Sequence, residues 1–200
     1  MRRTAVPAGS SAAYGSFRME RVTRRRALPA TLALVAAFVL ALASPVGAAT
    51  IEDPDNARGP LDLKRLVATK HDATAPLHLK LVTWETWRAS LLDVSGENRI
   101  LFLFNNNDSG PANFVGEVFF RDGRLLMRIT TAGGRFVRRV RVAHPTRRSI
   151  TAVVPRGLPN PDGNAYLAAR EQYRSTTGFC VSGCHDRIPN EGWLKVTPGL

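Results

Sequence analysis

The stretch Phe114-Val115-Gly116-Glu117-Val118-Phe119-Phe120-Arg121-Asp122-Gly123-Arg124-Leu125-Leu126-Met127-Arg128-Ile129-Thr130 decides the fold class. Two apolar runs flank Asp122-Gly123. A type I′ turn needs positive φ at both of its central residues, and Asp-Gly tolerates that where most pairs do not. The spacing therefore predicts an antiparallel hairpin, Phe114 to Phe120 against Leu125 to Thr130.

The same reading extends in both directions. Leu77, Leu79 and Leu81 alternate with His78 and Lys80, the period of a half-buried strand. Leu61 and Leu63 alternate with Asp62 and Lys64, and a phase slip near Arg65 signals a bulge. Ile100-Leu101-Phe102-Leu103-Phe104 is apolar at every position, which predicts a central strand covered on both faces. It stops at Asn105-Asn106-Asn107-Asp108-Ser109-Gly110-Pro111, a loop by residue type. Ala132-Gly133-Gly134 turns the chain into a strand over 136–142, and Ser149 to Val154 is another, closed by Pro155. Residues 164–174 are strong helix formers, yet their place among so many strands favours a strand. Strands at this spacing with Gly- and Pro-rich turns predict an all-β chain, an antiparallel β-sandwich of jelly-roll type spanning residues 50–200.

The chain upstream reads as an address. Arg24-Arg25-Arg26 precedes an uncharged apolar run, Ala27 to Ala43, then Ser44-Pro45 and the small residues Gly47-Ala48-Ala49. Such an order is that of a cleavable signal peptide, with processing after Ala48 or Ala49 and translation starting at Met1 or, more economically, at Met19. The expected location is secreted and extracellular, with no stable membrane span after cleavage. The chain carries 28 Lys and Arg against 16 Asp and Glu, a formal charge of +12. Export removes nucleic acid as the usual partner of a basic surface, and points to a cell-surface polysaccharide or another anionic polymer.

Cys180 and Cys184 are the two cysteines. An even count in an oxidising compartment favours a disulfide, and Gly183 lets the intervening turn close. Cys180-x-x-x-Cys184-His185 is also one residue longer than the c-type haem attachment motif, and zinc through these three residues would lack a fourth ligand. No Gly-x-Ser-x-Gly, phosphate-cradling loop or His-Glu-x-x-His is present, so no catalytic residue is assigned. Arg124 and Arg128 share the outward parity of one strand, Arg139 and Arg141 that of the next; together they could bind an acidic ligand. Trp84 and Trp87 could stack on sugar rings, although core packing explains at least one of them. Asp53, Asp55 and Asp62 are hard oxygen donors of the type calcium takes, in a spacing that matches no EF-hand loop.

Asp53-x-Asp55, Gly59-Pro60-Leu61-Asp62-Leu63 and the closing Cys180…Cys184-x-Asp186-Arg187-x-Pro189-Asn190 with Gly192 beyond it resemble a group of exported, single-domain, jelly-roll-like proteins of high-GC Gram-positive bacteria. The resemblance covers roughly residues 51–193. It implies that the first and last segments lie side by side. Asp186 would then join Asp53, Asp55 or Asp62 in a structural calcium site, with no other cofactor required. The function expected is that of a secreted, non-enzymatic module binding a cell-surface or extracellular ligand such as carbohydrate. An extracellular glycan-active enzyme and a protein-interaction domain are the alternatives.

Overall fold

A computed structural model of the chain describes residues 47–158, 163–176 and 179–199. The expected signal peptide, apart from residues 47–49, and the start at Met19 lie outside the described residues. Eleven strands follow one another: β1 (Gly47–Glu52), β2 (Leu63–Lys70), β3 (Leu77–Thr83), β4 (Arg99–Asn105), β5 (Phe114–Arg121), β6 (Arg124–Thr131), β7 (Phe136–Thr146), β8 (Ser149–Val154), β9 (Ala165–Tyr173), β10 (Cys184–Ile188) and β11 (Leu194–Val196). Among the described residues a single 3-10 turn, Ala89–Leu92, interrupts them. Among the described residues no helix is long and apolar enough to cross a membrane.

The all-β, antiparallel expectation is met. The ladders join the strands in the order β1-β2-β3-β8-β7-β6-β5-β4-β9-β10, with β11 pairing the remaining length of β9. The long strand β7 makes the path continuous, since Phe136 to Arg141 pairs with β6 and the rest pairs with β8. The two ends of the sheet then approach each other. Gly199 N–H donates to the Lys70 carbonyl at 3.2 Å, and Leu63 N–H at the start of β2 donates to Asp186 Oδ2 on β10 at 2.8 Å. The sheet is thus nearly closed into a barrel, which leaves few unpaired edge groups.

Local chemistry accounts for the elements. Asp122 and Gly123 take φ of 51° and 73°, as a type I′ turn requires, and Arg121 pairs Arg124 across it. The slip near Arg65 is a register shift between Leu63 and Arg65. Residues 165–173 are a strand despite their helix propensity, because β4 on one side and β10 and β11 on the other supply ladder partners. The expected cleavage point after Ala48 or Ala49 falls inside β1.

One interior takes the apolar parity of every strand. Leu66, Leu81, Phe102, Phe104, Met127, Ile129, Ile150 and Leu167 are fully buried there. β4 departs from expectation on this point: Ile100, Phe102 and Phe104 face inward, but Leu101 and Leu103 on the other face are only half-buried. A sheet curled around one core has a single covered face, so apolar residues on its convex side keep contact with water. Gly116 is part of the packing. A Cβ built there would meet Met127 Sδ at 2.7 Å and Phe104 at 3.1 Å, so its hydrogen makes room for both side chains.

Candidate functional site

The segment between β1 and β2 runs across the ends of β9 and β10. Asp53 N–H donates to the Lys64 carbonyl, and Asp62 N–H to that of Gly59. Gly59, at a φ of +115°, lies flat on the Tyr173 ring, where a Cβ would come within 2.4 Å. The Arg58 guanidinium sits 3.8 Å over the Phe179 ring. The Arg58 carbonyl oxygen is 3.2 Å from Cys180 Sγ, a van der Waals contact because the oxidised sulfur has no proton to donate. Cys180 and Cys184 form a disulfide, with Cα atoms 5.1 Å apart. Their sulfurs are bonded to each other, which removes them from both haem attachment and zinc.

These contacts bring Asp53, Asp62 and Asp186 together. One carboxylate oxygen of each lies within 4.8 Å of the others. All three side chains are enclosed, with exposures of 4 %, 2 % and 7 %. Asp186 accepts from Leu63 N–H through Oδ2 and from its neighbour Arg187 N–H through Oδ1, at 2.7 Å. Both oxygens of Asp62 and Oδ2 of Asp53 are buried without a hydrogen-bond partner. Asp55 is exposed, and its carboxyl meets that of Asp62 from the rim.

A fourth buried carboxylate completes the arrangement. Glu171 on β9 is 0 % exposed, neither of its oxygens has a partner, and it stands directly opposite Asp186 on β10. Sequence reasoning missed it, although the parity of β9 carries the signal. Ala165, Leu167, Ala169 and Glu171 share the inward face, so an acid occupies a core position.

Electrostatics follow from this crowding. Burial, then the adjoining Asp55 carboxyl and the charge of Asp186, holds Asp62 well above the usual carboxylate range. Burial and the charges of Asp186 and Asp62 push Glu171 up to about 8, against a smaller opposing effect of Arg170. Burial and Asp186 raise Asp53 to about 6, opposed by a hydrogen bond with Asn190. Enclosed carboxylates without counter-charge must hold a proton or a cation.

The arginines occupy a separate surface. Arg128 and Arg139 are opposite each other across β6 and β7, and Arg141 pairs Leu126 one step along. Arg124 is exposed at the end of the hairpin turn. Glu117, opposite Arg128 on β5, accepts from Arg99 through Oε1 at 2.7 Å and from Arg128 through Oε2 at 2.5 Å. Among the described residues, Arg124, Arg139 and Arg141 have no carboxylate within 4 Å. A recess of about 150 Å³ opens between Arg99, Arg121, Arg128 and Arg139.

The two tryptophans diverge. Trp87 is buried and stacks on His144 with ring centroids 4.3 Å apart, so core packing accounts for it. Trp84 is half-buried, and Lys64 Nζ covers its ring at 4.2 Å. Comparison of the chain with protein-family models, with curated proteins and with solved structures finds no match.

Proposed function

We propose that the chain is an exported, non-enzymatic, jelly-roll-like module, released by cleavage of a signal peptide, that binds an anionic cell-surface polysaccharide. The observation that carries this reading is the row of cations on the outer face of β6 and β7. Strand register makes Arg128 and Arg139 neighbours, with Arg141 two residues along the same face of β7. Glu117 alone offsets part of that charge, through Arg99 and Arg128. Guanidinium groups suit carboxylate and sulfate groups because their planar N–H donors match two acceptor oxygens at once. Leu126, half-buried on the same face of β6 as Arg124 and Arg128, adds apolar surface between the charges, against which a sugar ring can lie.

Glycan cleavage is the weaker reading. It needs a general acid and a base beside the bond to be broken, and the carboxyls with raised pKa, Asp53, Asp62 and Glu171, are 4 %, 2 % and 0 % exposed. A polysaccharide has no path to them.

Binding of the purified protein to polygalacturonate and dextran sulfate, with neutral dextran as control, tests the proposal. Arg139→Ser/Arg141→Ser should weaken binding to the two acidic polymers roughly tenfold, as expected for the loss of two solvent-exposed ion pairs at about 0.7 kcal/mol each. Binding should also weaken steeply with salt. Equal binding to neutral dextran, or binding only to anionic lipid vesicles, would exclude the acidic-polysaccharide reading.

A further inference from the structure

We propose that Asp53, Asp62 and Asp186 form a calcium site that clasps the segment between β1 and β2 onto β10. Two chain segments send enclosed carboxylates to a common point, Asp53 and Asp62 from the β1–β2 connection and Asp186 from β10. The ligand oxygens around one calcium ion stand about 2.3–2.6 Å from it, hence no more than about 5 Å apart. The mutual separation of 4.8 Å or less meets that condition.

A second observation is independent of the clustering. Asp62 is only 2 % exposed, contributes an oxygen to the cluster, and has no hydrogen-bond donor on either oxygen; Oδ2 of Asp53 is likewise unpartnered. No described Lys or Arg forms an ion pair with any of the three. Arg187, next in sequence to Asp186, directs its guanidinium to the carbonyls of Pro189 and Gly192 instead. Asp186, by contrast, has backbone N–H donors on both oxygens, which holds it rigidly in place. The result is a fixed acceptor facing three unpartnered oxygens, Oδ2 of Asp53 and both of Asp62.

The donor set selects the ion. It is all oxygen, which favours a hard cation over zinc or copper. His185, the nearest imidazole in sequence, is exposed and on the opposite parity of β10. Magnesium keeps several of its waters and demands near-octahedral geometry, whereas calcium accepts an irregular set of carboxylates. Asp55 beside Asp62 supplies further oxygens at the rim. Two positive charges replace the like-charge repulsion among the carboxylates with attraction, so binding fastens the segment that carries Asp53 and Asp62.

The test uses the full-length chain, stripped with EDTA and exchanged into chelator-free buffer. Calcium at about 100-fold above its Kd should raise Tm by roughly 5–10 °C, and magnesium at the same concentration by much less. Calcium should also protect residues 53–62 from limited proteolysis. Asp62→Asn should abolish the calcium shift while leaving the metal-free protein as stable as the wild type or more so, since it removes a repelled, enclosed carboxylate. A residue with a purely structural role would lower both states alike. If Asp62→Asn does not fold, Asp53→Asn carries the same comparison. No calcium shift in the wild type, an equal shift with magnesium, or a shift retained in the folded variant would overturn the proposal.

Discussion

Glu171 and Asp186 face each other directly across the β9–β10 ladder, both turned into the protein, with Asp62 close enough to raise the pKa of Glu171. Like charges in that position are destabilising, and enclosure at 0 % exposure multiplies the effect for Glu171. Its pKa in the folded chain is pushed up to about 8 from 4.5. The folded state therefore binds the proton more tightly than the unfolded chain does. The stability this gives is complete below about pH 4.5 and is lost as pH rises through about 8. In EDTA, the unfolding free energy should fall across that interval by a few kcal/mol in order of magnitude. Asp62 and Asp53, raised as well, add to the same slope, so Glu171→Gln should remove part of it, which urea titrations at pH 5, 7 and 9 would reveal. A slope unchanged in the variant would mean that Glu171 is not the group concerned.

Gly116 on β5 predicts a packing effect of the opposite kind. Its missing side chain is occupied by Met127 Sδ and an edge of Phe104, at 2.7 and 3.1 Å from the position a Cβ would take. Met127 is fully buried, so its thioether has little free space to move into. Gly116→Ala should cost roughly 1–3 kcal/mol by overpacking, and Gly116→Val more. Thermal unfolding of the two variants would rank them. A neutral Gly116→Ala would show that Met127 repacks freely.

Much of the fold was legible because the interior reads one parity of each strand. Leu77, Leu79 and Leu81 announced β3, and Asp122-Gly123 announced its hairpin, through short-range chemistry that tertiary structure had no reason to override. Whether the strands close on each other was not legible. Closure depends on the two halves of β7 choosing different partners and on β2 meeting β10, contacts between residues more than a hundred positions apart such as Leu63 and Asp186. The site divides in the same way. Asp53 and Asp62 stood out as acids in a polar arm. Asp186 joined them only through resemblance, and Glu171 lay hidden in a segment that propensity assigned to helix. Asp55 looked equivalent to Asp53 in sequence, yet one is exposed and the other buried, because the backbone of the arm turns between them.

The Trp87–His144 stack gives the last prediction. Burial holds the His144 imidazole below its ordinary range, and its Nε2 has no hydrogen-bond partner. Arg124 and Arg141 line the same recess as His144. The indole face of Trp87 favours the protonated ring, but loss of hydration outweighs it. The folded state thus prefers neutral His144, while the unfolded chain takes up the proton near pH 6.5. The contribution of His144 is intact above that pH and is lost as pH falls below it, the reverse of the Glu171 effect. Because both act on the same protein, the informative quantity is the difference in unfolding free energy between wild type and His144→Asn. That difference should shrink from pH 7.5 to pH 5, since the carboxamide of the variant takes up no proton. A difference constant across this range would show that the imidazole does not titrate against the fold.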